Sequence, residues 1–174
     1  TQDLLQAKAA VNGARLAVTE SGRDVIVIAQ VTVETTGTML LGSEIGAALN
    51  ALEPLNIDLI GLNCATGPTE MSEHLRYLSK NSHTAISVMP NAGLPLLGPK
   101  GAEYPLGPEE LATALETFVN DYGITLIGGC CGTTPEHLRQ VCEAVRAVEP
   151  KRRTPETEPS VTSLYSPVTL EQDN

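Results

Sequence analysis

The chain has 174 residues, a formal net charge of −10 and an apolar fraction of 41%, with 3% aromatic residues and no tryptophan. This length suffices for one domain, whose core must consist of valine, isoleucine, leucine and alanine, as in buried parallel strands under amphipathic helices. The acidic balance argues against nucleic-acid binding, and no apolar run is long enough to span a membrane. With no secretory leader and four cysteines, the composition predicts a cytoplasmic protein.

Hydrophobic periodicity predicts one helix followed by four strand-helix units. Residues 1–20 have the spacing of a helix, and residues 25–33 give the clearest strand signal of the chain. The other predicted elements, in chain order, are a helix around 45–52, a strand at 58–64, a helix at 68–79, a strand at 85–89, a loop at 94–108, a helix at 109–121, a strand at 124–127 and a helix at 135–148. Strands separated by single helices indicate an α/β fold with a parallel sheet.

The end of the chain differs in composition from the part before it. Residues 149–174 carry three cations at 151–153, continue with threonine, proline, serine and glutamate, and lack apolar periodicity. Such composition is typical of a linker. We therefore predict a domain at 1–148 and a flexible tail at 149–174 that leads toward a following module.

Three of the four cysteines lie where predicted strands end. Cys64 closes the strand at 58–64, whereas Cys130 and Cys131 follow the strand at 124–127. Neighbouring cysteines bridge each other only with strain, so they suit a metal better than a disulfide. The carboxyl ends of parallel strands share one face, and three thiolates without an evident fourth ligand are typical of a zinc site with a position open for substrate. Cys142 follows helical periodicity and is predicted to be a packing residue.

Three segments resemble a known family. "GLNCATGP", "VMPNAG" and "GGCCGTTPEHL" occur in this order with spacers of helical length. They resemble the homocysteine-binding zinc module of cobalamin-dependent methionine synthases over roughly residues 2–147. The Gly-Thr-Thr-Pro continuation after Cys131 is more similar to these enzymes than to homocysteine methyltransferases that use betaine or S-methylmethionine. The resemblance implies that the four units are the second half of a (β/α)8 TIM barrel.

Several polar residues near the predicted strand ends are further candidates. By position alone, Glu34 is a solvated loop residue or a ligand for an ammonium group, and Asn91 is a turn residue or a site residue. The resemblance implies that both bind the amino group of homocysteine. Tyr104, on the long loop, would either shield the site or pack against the next helix. His137 is expected to be exposed or to cap its helix.

The resemblance also implies the activity. Zinc on Cys64, Cys130 and Cys131 would convert the homocysteine thiol to a thiolate, which would accept a methyl group from methylcobalamin to give methionine. The partners would be homocysteine and the cobalamin and folate modules of the same protein. Betaine or S-methylmethionine as donor is one alternative. A non-catalytic zinc or redox thiol module is another, although structural zinc sites usually have four protein ligands.

Half of a barrel has physical consequences of its own. It would expose two sheet edges and the apolar inner face of each strand. We therefore predict that these four units self-associate when isolated, and that they do not turn over without the rest of the protein.

Overall fold

The computed structural model describes residues 1–99, 101–156 and 158–170. Its elements are α1 (Leu4–Ser21), β1 (Ile28–Val31), α2 (Ile45–Leu52) with a 3-10 turn (Glu53–Leu55), β2 (Leu59–Asn63), α3 (Pro68–Asn81), β3 (Ala85–Met89), β4 (Leu96–Gly98), β5 (Gly101–Glu103), α4 (Pro108–Tyr122), β6 (Leu126–Ile127), α5 (Pro135–Val145), β7 (Ser160–Thr162) and β8 (Pro167–Thr169). No helix among these described residues has the length and apolar content needed to cross a membrane.

The main sheet has four parallel strands in the order β1-β2-β3-β6. Helices α2, α3 and α4 lie between consecutive strands of this sheet and return the chain to the start of the next strand, as parallel pairing requires. This confirms the predicted α/β fold of parallel strand-helix units. The closure of such units into a TIM barrel stays a prediction from the resemblance.

One face of this sheet carries the hydrophobic core. Ile60 and Leu62 of β2 are buried, and so are their partners in the flanking strands, Ala29, Ile86, Val31 and Val88. They belong to one cluster with the helical residues Leu49, Leu75 and Leu115. Side chains alternate between the two faces of a strand, so every second residue of β1, β2 and β3 packs against the helices.

The opposite face differs from the sequence prediction. Its central row consists of Gln30, Gly61 and Ser87, which are neighbours in the strand register. The Gln30 side-chain amide donates a 3.1 Å hydrogen bond to Ser87 Oγ across the middle strand. The prediction of an apolar inner face was therefore wrong for this row, because glycine at position 61 leaves room for two polar side chains to meet. Self-association stays a prediction.

The first strand is shorter than predicted. Pairing with β2 begins at Ile28, and the preceding residues Val25 and Ile26 are exposed. Val27 marks the boundary, since its N–H donates to Asp58 Oδ2 at 2.7 Å and its carbonyl accepts from Asp58 N–H at 2.9 Å. The sequence signal of residues 25–27 reflects their β-branched side chains, whereas strand length is decided by where a partner strand is available.

The predicted loop at 94–108 contains a β-hairpin. Strands β4 and β5 pair antiparallel, with Leu96 opposite Glu103. Leu97 is 97% exposed on this hairpin. The segment after Glu103 then returns to the sheet edge, where Leu106 N–H donates to the Ala92 carbonyl at 3.0 Å. The loop is thus divided into a projecting hairpin and a returning segment, residues 104–107.

The predicted tail contains secondary structure and long-range contacts in its described part. The Arg153 guanidinium donates to the carbonyls of Ser82 and Thr84 at 2.8 and 2.6 Å. Strands β7 and β8 form an antiparallel hairpin, and Asn50 of α2 donates to Ser160 Oγ at 2.9 Å. These contacts join residues far apart in sequence and leave no local periodicity, so the sequence analysis did not foresee them, and the flexibility of the tail stays a prediction. Whether 149–174 also leads to a following module stays a prediction.

Candidate metal centre

The site lies where β2, β3 and β6 end. These strands are parallel, so the loops that follow them are neighbours at one edge of the sheet. Backbone hydrogen bonds join the loops: Cys64 N–H donates to the Met89 carbonyl at 3.1 Å, and Cys130 N–H donates to the Pro90 carbonyl at 2.8 Å. The structure thus brings together the two cysteine-bearing loops that the sequence analysis placed on one face.

The backbone at Cys64 is unusual. Cys64 and Ala65 have φ values of 60° and 61°, in the left-handed region that residues with a Cβ seldom adopt. A 2.7 Å hydrogen bond from Thr66 N–H to the Cys64 carbonyl closes the turn. Residues in sparsely populated conformations cluster at functional sites, where the surrounding structure holds them in place. The strained turn at Cys64 separates β2 from α3.

The three sulfur atoms have the spacing of a tetrahedral metal site. Sγ of Cys131 lies 3.7 Å from Sγ of Cys64 and 3.9 Å from Sγ of Cys130, and all three lie within 4.8 Å of one another. A tetrahedron with zinc–sulfur bonds of about 2.3 Å has edges of about 3.8 Å. A disulfide would need about 2.05 Å, and the three cysteines are free. Two of the sulfur separations therefore match the edges of a zinc tetrahedron, and the three cysteines could hold a metal ion.

The surroundings shift the pKa values of Cys130 and Cys131 in opposite directions. Burial, assisted by the neighbouring thiol of Cys64, raises the pKa of Cys130 to about 11. The pKa of Cys131 is lowered, first by the hydrogen bond with Cys64 and then by an interaction with Tyr104. At neutral pH the metal-free Cys130 is thus protonated. A metal binds the thiolate form of cysteine, so it must displace that proton. Metal binding should therefore weaken as the pH falls.

Asn91 is part of the site. It is 2% exposed, and its Oδ1 accepts a 3.1 Å hydrogen bond from Cys131 N–H. Its own N–H donates to the Thr66 carbonyl at 3.0 Å. This single residue therefore ties the loop of Cys64 to that of Cys131. Across the part of the chain that the structure describes, its Nδ2 makes no hydrogen bond.

Glu34 lies after β1, at the same edge of the sheet. It is half-buried, and its Oε1 accepts a 3.1 Å hydrogen bond from Gln2 Nε2. A tight turn follows, in which Gly37 N–H donates to the Glu34 carbonyl at 2.9 Å. Within residues 1–99, 101–156 and 158–170, one set of three or more acidic, histidine or cysteine side chains is close enough together to hold a metal. It consists of the three cysteines. Glu34 does not belong to this group, and its role toward substrate stays a prediction.

Cys142 does not belong to the site. It is exposed on α5, so the prediction that it packs in the core was wrong. The buried residue of this helix stretch is instead its neighbour Val141, at 2% exposure. Helical periodicity could not settle this, because the apolar stripe of a short helix shifts by one residue without changing its spacing.

His137 is buried and caps α5, the second of the two roles that the sequence left open, and it also connects two loops. It is 7% exposed, and its Nδ1 lies 2.7 Å from Thr134 Oγ1 and accepts from Thr134 N–H at 3.2 Å. A backbone N–H can only donate, so Nδ1 is unprotonated and the proton is on Nε2. Nε2 then donates to the Leu106 carbonyl at 2.9 Å. The start of α5 is thereby fastened to the returning segment.

Replacing His137 by alanine should loosen this connection. The loss of a capping interaction costs about 1 kcal/mol, and the Leu106 carbonyl loses its donor as well, so we expect about 1–2 kcal/mol lower unfolding free energy. Hydrogen exchange at the Leu106 amide should accelerate in the variant. Leu138→Ala, at the exposed neighbouring position, is the matched control. Equal exchange rates in both variants would contradict the assigned role.

Tyr104 is the site residue for which the sequence left two options open. Tyr104 Cβ and Cγ lie close to Gly132, whose φ is 77°. A Cβ at position 132 would overlap both atoms. The neighbouring Cys131 thiol raises the pKa of Tyr104. The structure thus places Tyr104 beside the loop of Cys131, and whether it shields the site stays a prediction.

Comparisons with known proteins identify the family of this chain. The family model for homocysteine S-methyltransferases matches residues 1–145. The chain is 63% identical over 172 residues to the methionine synthase of Mycobacterium tuberculosis (strain ATCC 25618 / H37Rv), with 99% of this chain and 14% of that relative covered. It is 62% identical over 176 residues to the methionine synthase of Mycobacterium leprae (strain TN), with 98% and 15% covered. The chain spans about 15% of the length of these relatives. The chain belongs to the homocysteine S-methyltransferase family.

Proposed function

We propose that this chain is the part of a methionine synthase that holds homocysteine for methylation. In this proposal Cys64, Cys130 and Cys131 bind zinc, and Glu34 and Asn91 bind the amino group of the substrate. The observation that carries the proposal is the spacing of 3.7 and 3.9 Å between the sulfurs of a chain in this family.

The ligand set favours a catalytic centre over a structural one. Structural zinc sites are closed by four protein ligands, whereas catalytic sites keep one position for water or substrate. The group formed by the described residues has three members, all cysteines. Zinc held there would lower the pKa of a substrate thiol and stabilise it as a thiolate, the nucleophilic form.

The protein residues would place the other end of the substrate. Glu34 carries a carboxylate that can pair with the ammonium group of homocysteine. Asn91 Oδ1 has two acceptor positions, and the Cys131 N–H takes one of them. The second is available to an ammonium N–H. Asn91 would in this way connect the position of the substrate directly to that of a ligand cysteine.

The proposal also includes the methyl donor. The continuation after Cys131 favours methylcobalamin, bound with the folate substrate by other modules of the same protein. The sulfur of homocysteine would form a bond to the methyl carbon as the bond from that carbon to its carrier breaks, and the thiol proton would leave to solvent. Betaine or S-methylmethionine stays the alternative donor. Because the three thiols must remain reduced, we place the reaction in the cytoplasm.

Calorimetric titration of the zinc-loaded protein with homocysteine tests the site. We expect binding accompanied by proton release, and Glu34→Gln should weaken it about ten- to a hundredfold, since a hydrogen bond to a charged group is lost. The matched ligand is 4-mercaptobutyrate, which has the thiol but no amino group. Its affinity should be the same for wild type and Glu34→Gln.

Two outcomes would contradict the proposal. Homocysteine binding without proton release would show that the thiol does not reach the metal. An equal loss of affinity for both ligands in Glu34→Gln would mean that Glu34 acts through the fold and not through the substrate amino group. Glu20→Gln, at an exposed position on α1, controls for the change in net charge.

A further inference from the structure

We propose that Tyr165, in the turn of the β7–β8 hairpin, is a positioning residue for Glu34, because it holds residues 34–44, the Glu34 loop, in place. The inference rests on the proposed function, since it assumes that the Glu34 carboxylate binds the amino group of the substrate. The family model ends at residue 145, so the inference brings to the substrate site a segment from outside the matched part of the chain.

Two consecutive turns make up most of the Glu34 loop. In the first, Glu34 N–H donates to the Thr38 carbonyl at 2.9 Å. In the second, Met39 N–H donates to the Ser43 carbonyl and Gly42 N–H donates to the Met39 carbonyl, both at 2.8 Å. Because the second turn starts at the residue after the first, a contact that fixes the second turn also restricts the position of Glu34.

Tyr165 contacts the second turn and the end of the loop. Its carbonyl accepts a 2.7 Å hydrogen bond from Glu44 N–H. Its ring lies beside Gly42, whose φ is 90°, and a Cβ at position 42 would be 3.4 Å from Tyr165 Cδ1. One contact is made by the backbone and the other by the side chain. A substitution at position 165 can therefore remove the ring and leave the acceptor carbonyl in the chain.

The hairpin that carries Tyr165 is itself attached to a helix of the core. Asn50 Nδ2 of α2 donates to Ser160 Oγ of β7 at 2.9 Å. Pro167 of β8 packs on Gly46 of α2, where a Cβ would be 2.7 Å from Pro167 Cγ. Helix α2 contributes buried residues to the hydrophobic core. The hairpin thus has a rigid support from which it can hold the loop.

The Glu34 side chain has few constraints of its own. In the part of the chain that the structure describes, its carboxylate has one hydrogen-bond partner, the side-chain amide of Gln2 at 3.1 Å. The position of the carboxylate therefore depends on the backbone of the Glu34 loop. A loop that already has its binding conformation loses less conformational freedom when the ligand arrives, so the ligand binds more tightly.

Substitutions at Tyr165 test this role in calorimetric titrations of the zinc-loaded protein. We expect Tyr165→Ala to bind homocysteine about three- to tenfold more weakly than wild type, since a loosened loop must be ordered on binding. Tyr165→Phe keeps the ring and should bind like wild type. The matched control is Val168→Ala, at a 58% exposed position of β8 on the face opposite to that of Pro167. All four proteins should bind 4-mercaptobutyrate, which lacks the amino group, with equal affinity.

Hydrogen exchange of the metal-free protein gives a readout that is independent of zinc and substrate. The amides of Glu34 and Gly37 donate hydrogen bonds within the first turn of the loop. Both should exchange faster in Tyr165→Ala than in wild type, because the turn opens more often when the ring contact is lost. In Tyr165→Phe and Val168→Ala their rates should equal those of wild type. Unchanged rates in Tyr165→Ala would overturn the inference.

A double-mutant cycle separates positioning of Glu34 from a general loss of structure. In Glu34→Gln the carboxylate is already gone, so adding Tyr165→Ala should weaken homocysteine binding no further. Additive losses would overturn the inference, and so would an equal loss of affinity for homocysteine and 4-mercaptobutyrate in Tyr165→Ala. Unchanged homocysteine affinity in Glu34→Gln alone would instead overturn the proposed function.

Discussion

Replacing Cys64 by serine is expected to remove zinc from the protein. The substitution changes one atom and leaves the left-handed turn at this position intact, so the loss reports the ligand and not the fold. A hydroxyl is a poor substitute for a thiolate on zinc, and one missing ligand of three should lower affinity by more than about 100-fold. Elemental analysis of protein purified without chelator should give one zinc per wild-type chain and almost none in the variant.

The chain supplies its own control for this experiment. Cys142 is the fourth cysteine, and it is exposed on α5, away from the three-sulfur group. Cys142→Ser should therefore retain full zinc. Zinc should also raise the unfolding temperature of wild type and Cys142→Ser, but not that of Cys64→Ser, because a ligand stabilises only the protein that binds it. Full zinc occupancy in Cys64→Ser would refute its assignment as a ligand.

Replacing Gly61 by alanine should strongly destabilise the sheet. A Cβ at position 61 would overlap both Oγ and the backbone carbonyl oxygen of Ser87 on the adjacent strand. A side chain could rotate away, but the carbonyl belongs to β3 and cannot move without separating the two strands. We expect a loss of about 3 kcal/mol in unfolding free energy, equivalent to roughly 6–12 °C in the thermal midpoint.

Two further variants decide whether this explanation is right. Gly61→Ala combined with Ser87→Gly removes the Oγ overlap but not the carbonyl overlap, so it should recover only part of the stability. Gly13→Ala, within α1 and with no heavy atom within 4 Å of the added Cβ, should instead stabilise the protein by up to about 1 kcal/mol. Unchanged thermal midpoints in Gly61→Ala would contradict the predicted clash.

The two glycine variants illustrate what sequence reasoning can and cannot see. In the sequence, Gly61 is one small residue in an apolar run and Gly13 is one small residue in a helix. Neither the closeness of Ser87 nor the open space around Gly13 follows from local pattern. The same holds for Tyr104, which the sequence places on a loop with two possible roles. Its contact with Gly132 depends on how three loops pack together.

The sequence by itself determined the strand-helix order, the parallel sheet and the three cysteines of the metal group. These follow from local signals, since periodicity reports which face of an element is buried, and a residue after a parallel strand must lie at the shared edge. Only the tertiary structure decided the polar row of Gln30 and Ser87, the hairpins at 96–103 and 160–169, and the connection made by His137. Each of these joins residues far apart in the chain, and long-range hydrogen bonds leave no periodic trace in a sequence.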